Sequence, residues 1–407
     1  MKILFIHQNF PAQFKHLAPA LAARGDEVRA LSVTGPAVPG LQVTHYKIAH
    51  SSSKAIHSWA SDFEAKVIRA EACSQAMQKM RDEGFVPDLV VVHPGWGEGL
   101  CIEEVFPGVP QLHFIEWYYH FKGGDVGFDP EFNDERIAPG RVRAKNAMNL
   151  LSLEQMTAGY CPTHWQLSRL PERYRERVSV IHDGIDTQAL RPDAGASVTF
   201  HRDKLTLTRK DELVTFINRN LEPMRGWHIF ARSLPQLLKA RPKAHIAIIG
   251  NDELSYGAPP PGGRSWRQLI WDEIREQVDV SRVHFVGRVP HQTMIQLLQV
   301  ARCHVYLTMP FVLSWSMLEA MSVEALVVGS DTPPVQEVIR HGENGLLTPF
   351  LDPQALAALV TEVLANPERY EHLRRAARQT VVQRYDLNSI CLPAQLALVD
   401  SLVRKGA

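Results

Sequence analysis

Residues 1–33, MKILFIHQNFPAQFKHLAPALAARGDEVRALSV, decide the fold class. Their apolar start at residues 2–7 predicts a short buried strand. A helical pattern of apolar residues follows and ends at the stop signal Arg24-Gly25, and the next strand is predicted over Val28–Val33. A strand, a helix and a second strand at this spacing predict the beginning of a parallel α/β sheet.

The same alternation continues along the chain in two series, separated by a polar stretch at residues 187–211 that we interpret as a linker. At 407 residues the chain also exceeds what a single hydrophobic core usually encloses. We therefore predict an α/β protein of two Rossmann-like, doubly wound domains that face a central cleft. The predicted boundaries are an N-terminal domain over residues 1–190, a second domain over 191–385, and a C-terminal helix over 386–407 that returns to the first domain.

Composition excludes several classes of protein. Lys and Arg total 44 and so do Asp and Glu, which argues against a nucleic-acid partner. The five cysteines are scattered and form no CxxC pair, so neither a zinc site nor a disulfide framework is expected. The chain has no membrane-spanning stretch and no signal-peptide pattern, which predicts a cytoplasmic protein. It also has no GxGxxG, phosphate-loop or DxD motif.

The segment INRNLEPMRG at residues 217–226 places two cations, Arg219 and Arg225, between a predicted strand and a predicted helix. Guanidinium groups beside a helix N-terminus suit a diphosphate, whose charge grows as a sugar leaves its nucleotide. The alternative is that both arginines are solvated surface residues.

A second segment, residues 310–321, opens a predicted helix that carries Glu319. The Glu319 carboxylate is suited to bind the two hydroxyls of a ribose, while the amides of Ser314, Trp315 and Ser316 are predicted to face phosphate. Its alternative is an exposed helix glutamate.

Together these segments resemble glycosyltransferase family 4, the retaining enzymes of the GT-B fold. The resemblance runs in order through the second half of the chain and includes the motifs HDGID (182–186), Arg219 with Arg225, VGRVP (286–290), LEAM (318–321), GSD (329–331), VQEVI (335–339) and GENGLL (342–347). It is closest to a subgroup whose chains begin with HQNFP. It implies that Arg219 and Arg225 bind the diphosphate and that Glu319 binds the ribose. Where the family has the first glutamate of its paired-glutamate motif, this chain has Phe311.

The resemblance also implies the remaining site residues. Gly184 and Asn251 are predicted in the donor site. His93 follows a strand, as a histidine of the family's catalytic region does, and is predicted to contact the sugar; the alternative is a structural histidine. The residues predicted on the acceptor side are Asn9, Phe10, Glu116 and Trp117.

The resulting hypothesis is a metal-independent retaining glycosyltransferase without a cofactor. It would use a UDP- or GDP-sugar and a sugar, lipid-linked or protein acceptor, in surface polysaccharide or glycoconjugate synthesis. The alternatives are a GT-B sugar-nucleotide epimerase and an inactive nucleotide-sugar-binding partner subunit. The arginine-rich runs 169–177 and 369–384 allow a weak peripheral membrane contact, although solvated helix faces, with Glu residues at helical spacing, are the favoured explanation.

Overall fold

The structure is a computed structural model that describes residues 1–132, 138–200 and 204–403. These residues form two compact units. The first unit comprises the described residues within 1–122, 138–184 and 387–403, and the second comprises those within 123–132 and 185–386.

The first unit is built on a seven-stranded parallel sheet. Its strands are Lys2–Ile6 (β1), Glu27–Ser32 (β2), Gln42–His45 (β3), Leu89–Val92 (β4), Gln111–Phe114 (β5), Ala158–Cys161 (β6) and Val178–Val180 (β7). They lie in the order β3-β2-β1-β4-β5-β6-β7. The two central strands β1 and β4 are apolar except for Lys2, because both faces of a parallel sheet are covered.

The helices of this unit cover the two faces of the sheet. They are Leu17–Ala23 (α1), Ser61–Asp82 (α2), Ile102–Val105 (α3), Pro139–Lys145 (α4), Ala147–Gln155 (α5), His164–Arg169 (α6) and Glu172–Arg175 (α7). Alternate side chains of β1 enter different cores: Phe5 packs in a cluster with Leu21 of α1, and Leu4 packs in another with Met77 of α2. The predicted start of the α/β sheet is therefore confirmed.

The second unit repeats this architecture with six parallel strands and an antiparallel hairpin. The hairpin strands are Ser197–Phe200 (β8) and Leu205–Thr208 (β9), and the sheet strands are Leu213–Asn220 (β10), His245–Asn251 (β11), Val283–Gly287 (β12), Cys303–Tyr306 (β13), Val327–Ser330 (β14) and Leu346–Thr348 (β15). The sheet order is β12-β11-β10-β13-β14-β15. The helices are Trp227–Ala240 (α8), Trp266–Ile274 (α9), His291–Val300 (α10), Trp315–Ser322 (α11), Pro333–Gln336 (α12), Pro353–Ala365 (α13) and Glu371–Arg384 (α14).

The final helix, Leu392–Val403 (α15), belongs to the first unit. Val399 of α15 is fully buried in the same apolar cluster as Phe5 and Leu21. The chain passes from the first unit to the second between Gly184 and Ile185, so residues 185–190 lie outside the unit to which the sequence assigned them.

Two local features differ from the sequence-based interpretation. The polar stretch at 187–211 contains the β8–β9 hairpin, because alternate residues such as Val198 and Leu207 are apolar and face the core of the second unit. Residues 123–132 also belong to the second unit rather than the first. There Asp129 Oδ2 lies 2.8 Å from His228 Nε2, and Glu131 forms a bidentate ion pair with Arg232.

Candidate active site

The strand order reverses between β1 and β4 in the first sheet and between β10 and β13 in the second. Ligands of doubly wound sheets bind beyond the carboxyl ends of the strands at such a reversal. In the second unit, the segments after β10 and β13 carry Arg225, Glu319 and the amides of residues 314–316 from the predicted donor site. In the first unit, the segment after β4 carries His93, which is predicted to contact the sugar, and the segments after β1 and β5 carry the predicted acceptor-side residues.

Arg225 is a buried cation in the second unit, with 7% of its surface exposed. It ends a 3-10 turn, Pro223–Arg225, directly before α8. Its Nη1 donates to Thr308 Oγ1 and to the carbonyl oxygen of Val312, both at 2.8 Å. These bonds anchor the guanidinium between the segments that follow β10 and β13.

Gly226 sets the direction of the chain at this point. Its φ is +70°, and a Cβ there would approach Leu307 Cβ to 2.4 Å. Only glycine adopts this conformation at so close an approach without strain. The tight turn therefore brings Arg225 to the N-terminus of α8, a 14-residue helix whose first amides favour an anion.

Two aromatic rings flank the guanidinium of Arg225. Its Cζ lies 5.6 Å from the ring centroid of Tyr256 and 5.8 Å from that of Phe311, and the two rings are 5.1 Å apart. Burial disfavours the charge on Arg225, but Tyr306, Tyr256 and the carboxylate of Glu222 together more than offset this, and its pKa is raised. Tyr256 escaped the sequence analysis because it lies beside the irregular Pro/Gly tract rather than in a motif.

A buried glutamate holds Tyr256 in place. Glu222 is 1% exposed, and its Oε2 accepts from the amides of Ser255 at 3.1 Å and Tyr256 at 3.0 Å. Burial raises the pKa of Glu222, although these amides offset part of the rise. Neighbouring Asn220 donates from Nδ2 to Ser255 Oγ at 2.6 Å. Both side chains thus fix the loop after β11 against the end of β10.

Arg219 does not join this buried cluster. It is exposed at the end of β10, whereas the adjacent Asn220 is 3% exposed. Within the described part of the chain, the guanidinium of Arg219 makes no hydrogen bond or ion pair. The structure therefore fixes one of the two predicted cations and leaves the other in solvent.

The helix α11 carries the predicted ribose ligand. Glu319 is 5% exposed, and its Oε1 lies 2.7 Å from Nε2 of the exposed His291. Ser314 caps the helix by accepting from the Ser316 amide at 3.4 Å, and its own amide donates to Tyr306 Oη at 2.7 Å. Trp315, the first helical residue, is partly exposed.

The two remaining residues predicted in the donor site, Gly184 and Asn251, lie in different units. Gly184 lies in the first unit with φ +92°, where a Cβ would approach the Leu387 Cα to 2.9 Å. This close packing against the segment before α15 gives Gly184 a structural reason to be glycine, and its place in the donor site stays a prediction. Asn251 ends β11 in the second unit, and its carbonyl accepts from the Leu221 amide at 3.0 Å.

In the first unit, His93 follows β4 and is 1% exposed. Its Nδ1 accepts from the Gly95 amide at 3.3 Å, and its Nε2 lies 3.5 Å from Glu116 Oε2. The His7 ring, at the end of β1, lies edge-on to it with centroids 5.1 Å apart. Burial and the neighbouring His93 lower the pKa of His7 to about 3. The sequence analysis missed His7, because a lone histidine at a strand end has no spacing signal.

The residues predicted on the acceptor side differ in their burial and contacts. Phe10 is fully buried among core residues such as Phe5, with ring centroids 6.0 Å apart, so its side chain offers no surface to an acceptor and the prediction is wrong. Asn9 Oδ1 accepts from Thr34 Oγ1 at 2.7 Å. Trp117 is 7% exposed and packs 6.2 Å from the ring of Trp165.

Several arginines of the two arginine-rich runs donate hydrogen bonds to backbone carbonyls. Arg177 donates to the carbonyls of Met156 and Leu153, and Arg378 donates to that of Thr187. Arg374 is 2% exposed.

Among the described helices, none is both long and apolar enough to cross a bilayer. The described residues also contain no group of three or more His, Cys, Asp or Glu side chains arranged to hold a metal.

Comparison with known families matches both halves of the chain. Residues 24–190 match the family described as "Glycosyl transferase family 4 group", and residues 197–380 match "Glycosyl transferases group 1".

Among curated proteins, the chain is 25% identical over 388 residues to the D-inositol 3-phosphate glycosyltransferase of Thermomonospora curvata, covering 89% of this chain and 83% of that protein. It is 28% identical over 185 residues to the phosphatidyl-myo-inositol mannosyltransferase of Mycolicibacterium smegmatis, covering 44% of this chain and 42% of that one.

Solved structures agree on the fold. Sucrose-phosphate synthase from Thermosynechococcus elongatus superposes with a TM-score of 0.74 at 18% identity, covering 100% of both chains. Anabaena HepE in complex with UDP-glucose superposes with a TM-score of 0.68 at 17% identity, covering 98% of this chain and 99% of that one. The two Rossmann-like domains are therefore those of the GT-B fold.

Proposed function

Because the chain belongs to glycosyltransferase family 4, we propose that it moves a sugar from a UDP- or GDP-sugar to an acceptor with retention of anomeric configuration and without a metal ion. The observation that carries the proposal is the buried, anchored guanidinium of Arg225 at the N-terminus of α8. We place the reaction in the cytoplasm, in the synthesis of a surface polysaccharide or glycoconjugate.

Breaking the bond between sugar and diphosphate leaves negative charge on the β-phosphate. Arg225 and the first amides of α8 supply fixed positive charge, which stabilises that developing charge without reorganising during the reaction. Arg219 remains a proposed second diphosphate ligand that reaches the phosphate from solvent. The amides of Ser314, Trp315 and Ser316 at the start of α11 are proposed to bind phosphate oxygens as well.

Glu319 is proposed to bind the two ribose hydroxyls through its carboxylate, in exchange for its contact with His291. Asn251 is proposed at the edge of the same donor site. The HepE structures with UDP and UDP-glucose support a nucleotide-sugar donor, since they share the fold. Retention of configuration is proposed from membership in the family.

Binding of a nucleoside diphosphate tests the donor site directly. We expect UDP or GDP to raise the melting temperature, because Arg225 and the α8 amides recognise the diphosphate. At about 100 times Kd the added stability is roughly 2.7 kcal/mol, which thermal shift measurements detect. Uridine, which lacks the diphosphate, is the matched control and should give little shift. If no nucleoside diphosphate shifts the melting temperature, the proposed donor site is wrong.

Chelation tests the proposed independence from metal. Since Arg225 supplies the charge that a divalent ion supplies elsewhere, turnover should stay within about twofold of its value when EDTA is added. The measurement is release of nucleoside diphosphate with and without EDTA. Loss of turnover that Mn²⁺ or Mg²⁺ restores would contradict the proposal.

A nucleotide-sugar-binding partner subunit without activity remains the second candidate, because Phe311 occupies the position of a family glutamate. Turnover separates the candidates. A transferase consumes donor in the presence of acceptor, a binding subunit consumes none, and an epimerase converts the donor without any acceptor.

A further inference from the structure

Tyr256 is a partly exposed aromatic residue at the edge of the proposed donor site. It lies in the loop after β11, where its neighbours Leu254 and Gly257 are exposed. The centroid of its ring lies 5.6 Å from Cζ of Arg225, the guanidinium that we propose as the diphosphate ligand. Tyr256 therefore keeps part of its surface accessible at a position directly beside the proposed ligand.

Two buried side chains hold the backbone around Tyr256. Glu222 Oε2 accepts from the amides of Ser255 and Tyr256, and Asn220 donates to Ser255 Oγ. Glu222 and Asn220 are 1% and 3% exposed. Burial of a carboxyl group is unfavourable unless hydrogen bonds compensate for the lost hydration, and both of these bonds go to the backbone of one surface loop. The position of Tyr256 is therefore closely fixed by the end of β10 and the turn after it.

The ring of Tyr256 is held as well as its backbone. The ring of Phe311 packs against it at a steep angle, with centroids 5.1 Å apart and ring planes inclined at 69°. Phe311 itself is 5% exposed and lies behind the same guanidinium, 5.8 Å from Arg225 Cζ. Because loop, ring and guanidinium are fixed together, a ligand that packs against Tyr256 meets a surface that needs little ordering on binding.

The segment after β13 adds apolar surface to this surrounding. All side chains of residues 309–313, MPFVL, are apolar. Within the segment, the Met309 amide already donates to the Met224 carbonyl, and the Val312 carbonyl already accepts from Arg225. This part of the site is therefore suited to the C–H face of a pyranose ring rather than to a row of hydroxyl groups.

We propose that Tyr256 is a specificity-determining residue against whose ring the pyranose of the sugar nucleotide packs, and that Glu222 is the positioning residue that holds it there; this rests on the proposed transferase function. The sugar is bonded to the β-phosphate, so a diphosphate bound by Arg225 brings the pyranose within reach of a ring 5.6 Å from the guanidinium. The sugar makes this contact and the nucleoside does not. Tyr256 therefore favours the sugar nucleotide over the nucleoside diphosphate that the reaction releases.

The test compares a sugar nucleotide with the nucleoside diphosphate of the same base, by calorimetry on the full chain without acceptor. The sugar nucleotides are UDP-glucose, UDP-N-acetylglucosamine and GDP-mannose, and the one that binds most tightly is used. Tyr256→Ala should weaken its binding by about 5- to 10-fold and that of UDP or GDP by less than about twofold. Equal weakening of both ligands, or of neither, overturns the proposal, because the ring then acts through Arg225 or has no part in binding.

Two further variants separate the ring of Tyr256 from its hydroxyl group and from the loop. Tyr256→Phe keeps the ring and should bind the sugar nucleotide within about twofold of the unmodified chain. A loss in Tyr256→Phe as large as that in Tyr256→Ala assigns the effect to the hydroxyl group and overturns the packing proposal. The matched control is Leu254→Ala, which removes an apolar side chain, 42% exposed, from the same loop and should leave both affinities unchanged.

Glu222 is tested by the same pair of ligands. Glu222→Ala removes the acceptor of both amides and should weaken the sugar nucleotide by about fivefold while sparing UDP or GDP. Glu222→Gln keeps a side-chain oxygen that accepts hydrogen bonds and should recover most of that loss. Unchanged binding of the sugar nucleotide in Glu222→Ala, or weakening of both ligands alike in Glu222→Gln, contradicts the positioning role.

Binding of UDP or GDP to the unmodified chain separates this inference from the proposed function. If neither nucleoside diphosphate binds, the proposed donor site is itself wrong. If one binds and no variant of Tyr256 distinguishes it from its sugar nucleotide, the donor site stands and the role of Tyr256 alone is overturned.

Discussion

Replacing Arg225 with alanine is expected to lower kcat by about 10²–10³-fold, the usual cost of removing one preorganised donor from a developing negative charge. Hydrogen bonds to Thr308 and Val312 hold the guanidinium in place, so its positive charge is already positioned before the reaction begins. Because its interaction strengthens as the leaving group forms, the loss should fall on kcat and on kcat/KM alike.

Matched variants separate this effect from damage to the fold. Arg225→Lys keeps the charge but loses the planar fork, and it should recover part of the lost rate. Arg219→Ala, at the exposed end of β10, should lower kcat less than Arg225→Ala. If both arginines grip one diphosphate, the double variant should show less than the sum of the two effects.

Steady-state release of nucleoside diphosphate is the measurement, and circular dichroism confirms that each variant folds. Near-normal kcat/KM in folded Arg225→Ala would contradict the mechanism. In that case the role of Arg225 is structural: its two hydrogen bonds join the segments that follow β10 and β13.

The parallel sheets were predictable because their central strands are buried on both faces and form short apolar runs, as at β1 and β4. The segments beyond the strand ends were less predictable. The register of β10 against β11 shifts between Ile217 and Asn220, so simple alternation does not tell which of Arg219 and Asn220 faces inward. The sequence therefore predicted a pair of cations where the structure buries one.

Long-range contacts explain the other differences. Glu131 meets Arg232 across 101 positions of sequence, so no local pattern indicated that residues 123–132 join the second unit. Phe10 was predicted on the acceptor side, but its amide donates to Ser32 Oγ at 3.0 Å and its ring enters the core.

Replacing Glu319 with alanine is expected to raise the donor KM by about 10- to 100-fold and to change kcat by less than about threefold. A carboxylate that binds two ribose hydroxyls contributes about 1.5–3 kcal/mol through charged hydrogen bonds. The ribose lies away from the breaking bond and keeps the same contacts in the ground and transition states, so their loss weakens binding uniformly. Uniform weakening raises KM and spares kcat.

The structure also defines the controls for this variant. Removing Glu319 leaves Nε2 of His291 without its partner at 2.7 Å, but the His291 side chain is 57% exposed and water replaces the carboxylate. Glu343→Ala removes an exposed carboxylate that faces Arg340 at 3.7 Å in the same unit and should leave the donor KM unchanged. A fall in kcat equal to the fall in kcat/KM for Glu319→Ala would contradict ribose binding, because that pattern assigns the carboxylate to the transition state and therefore to the reacting end of the donor.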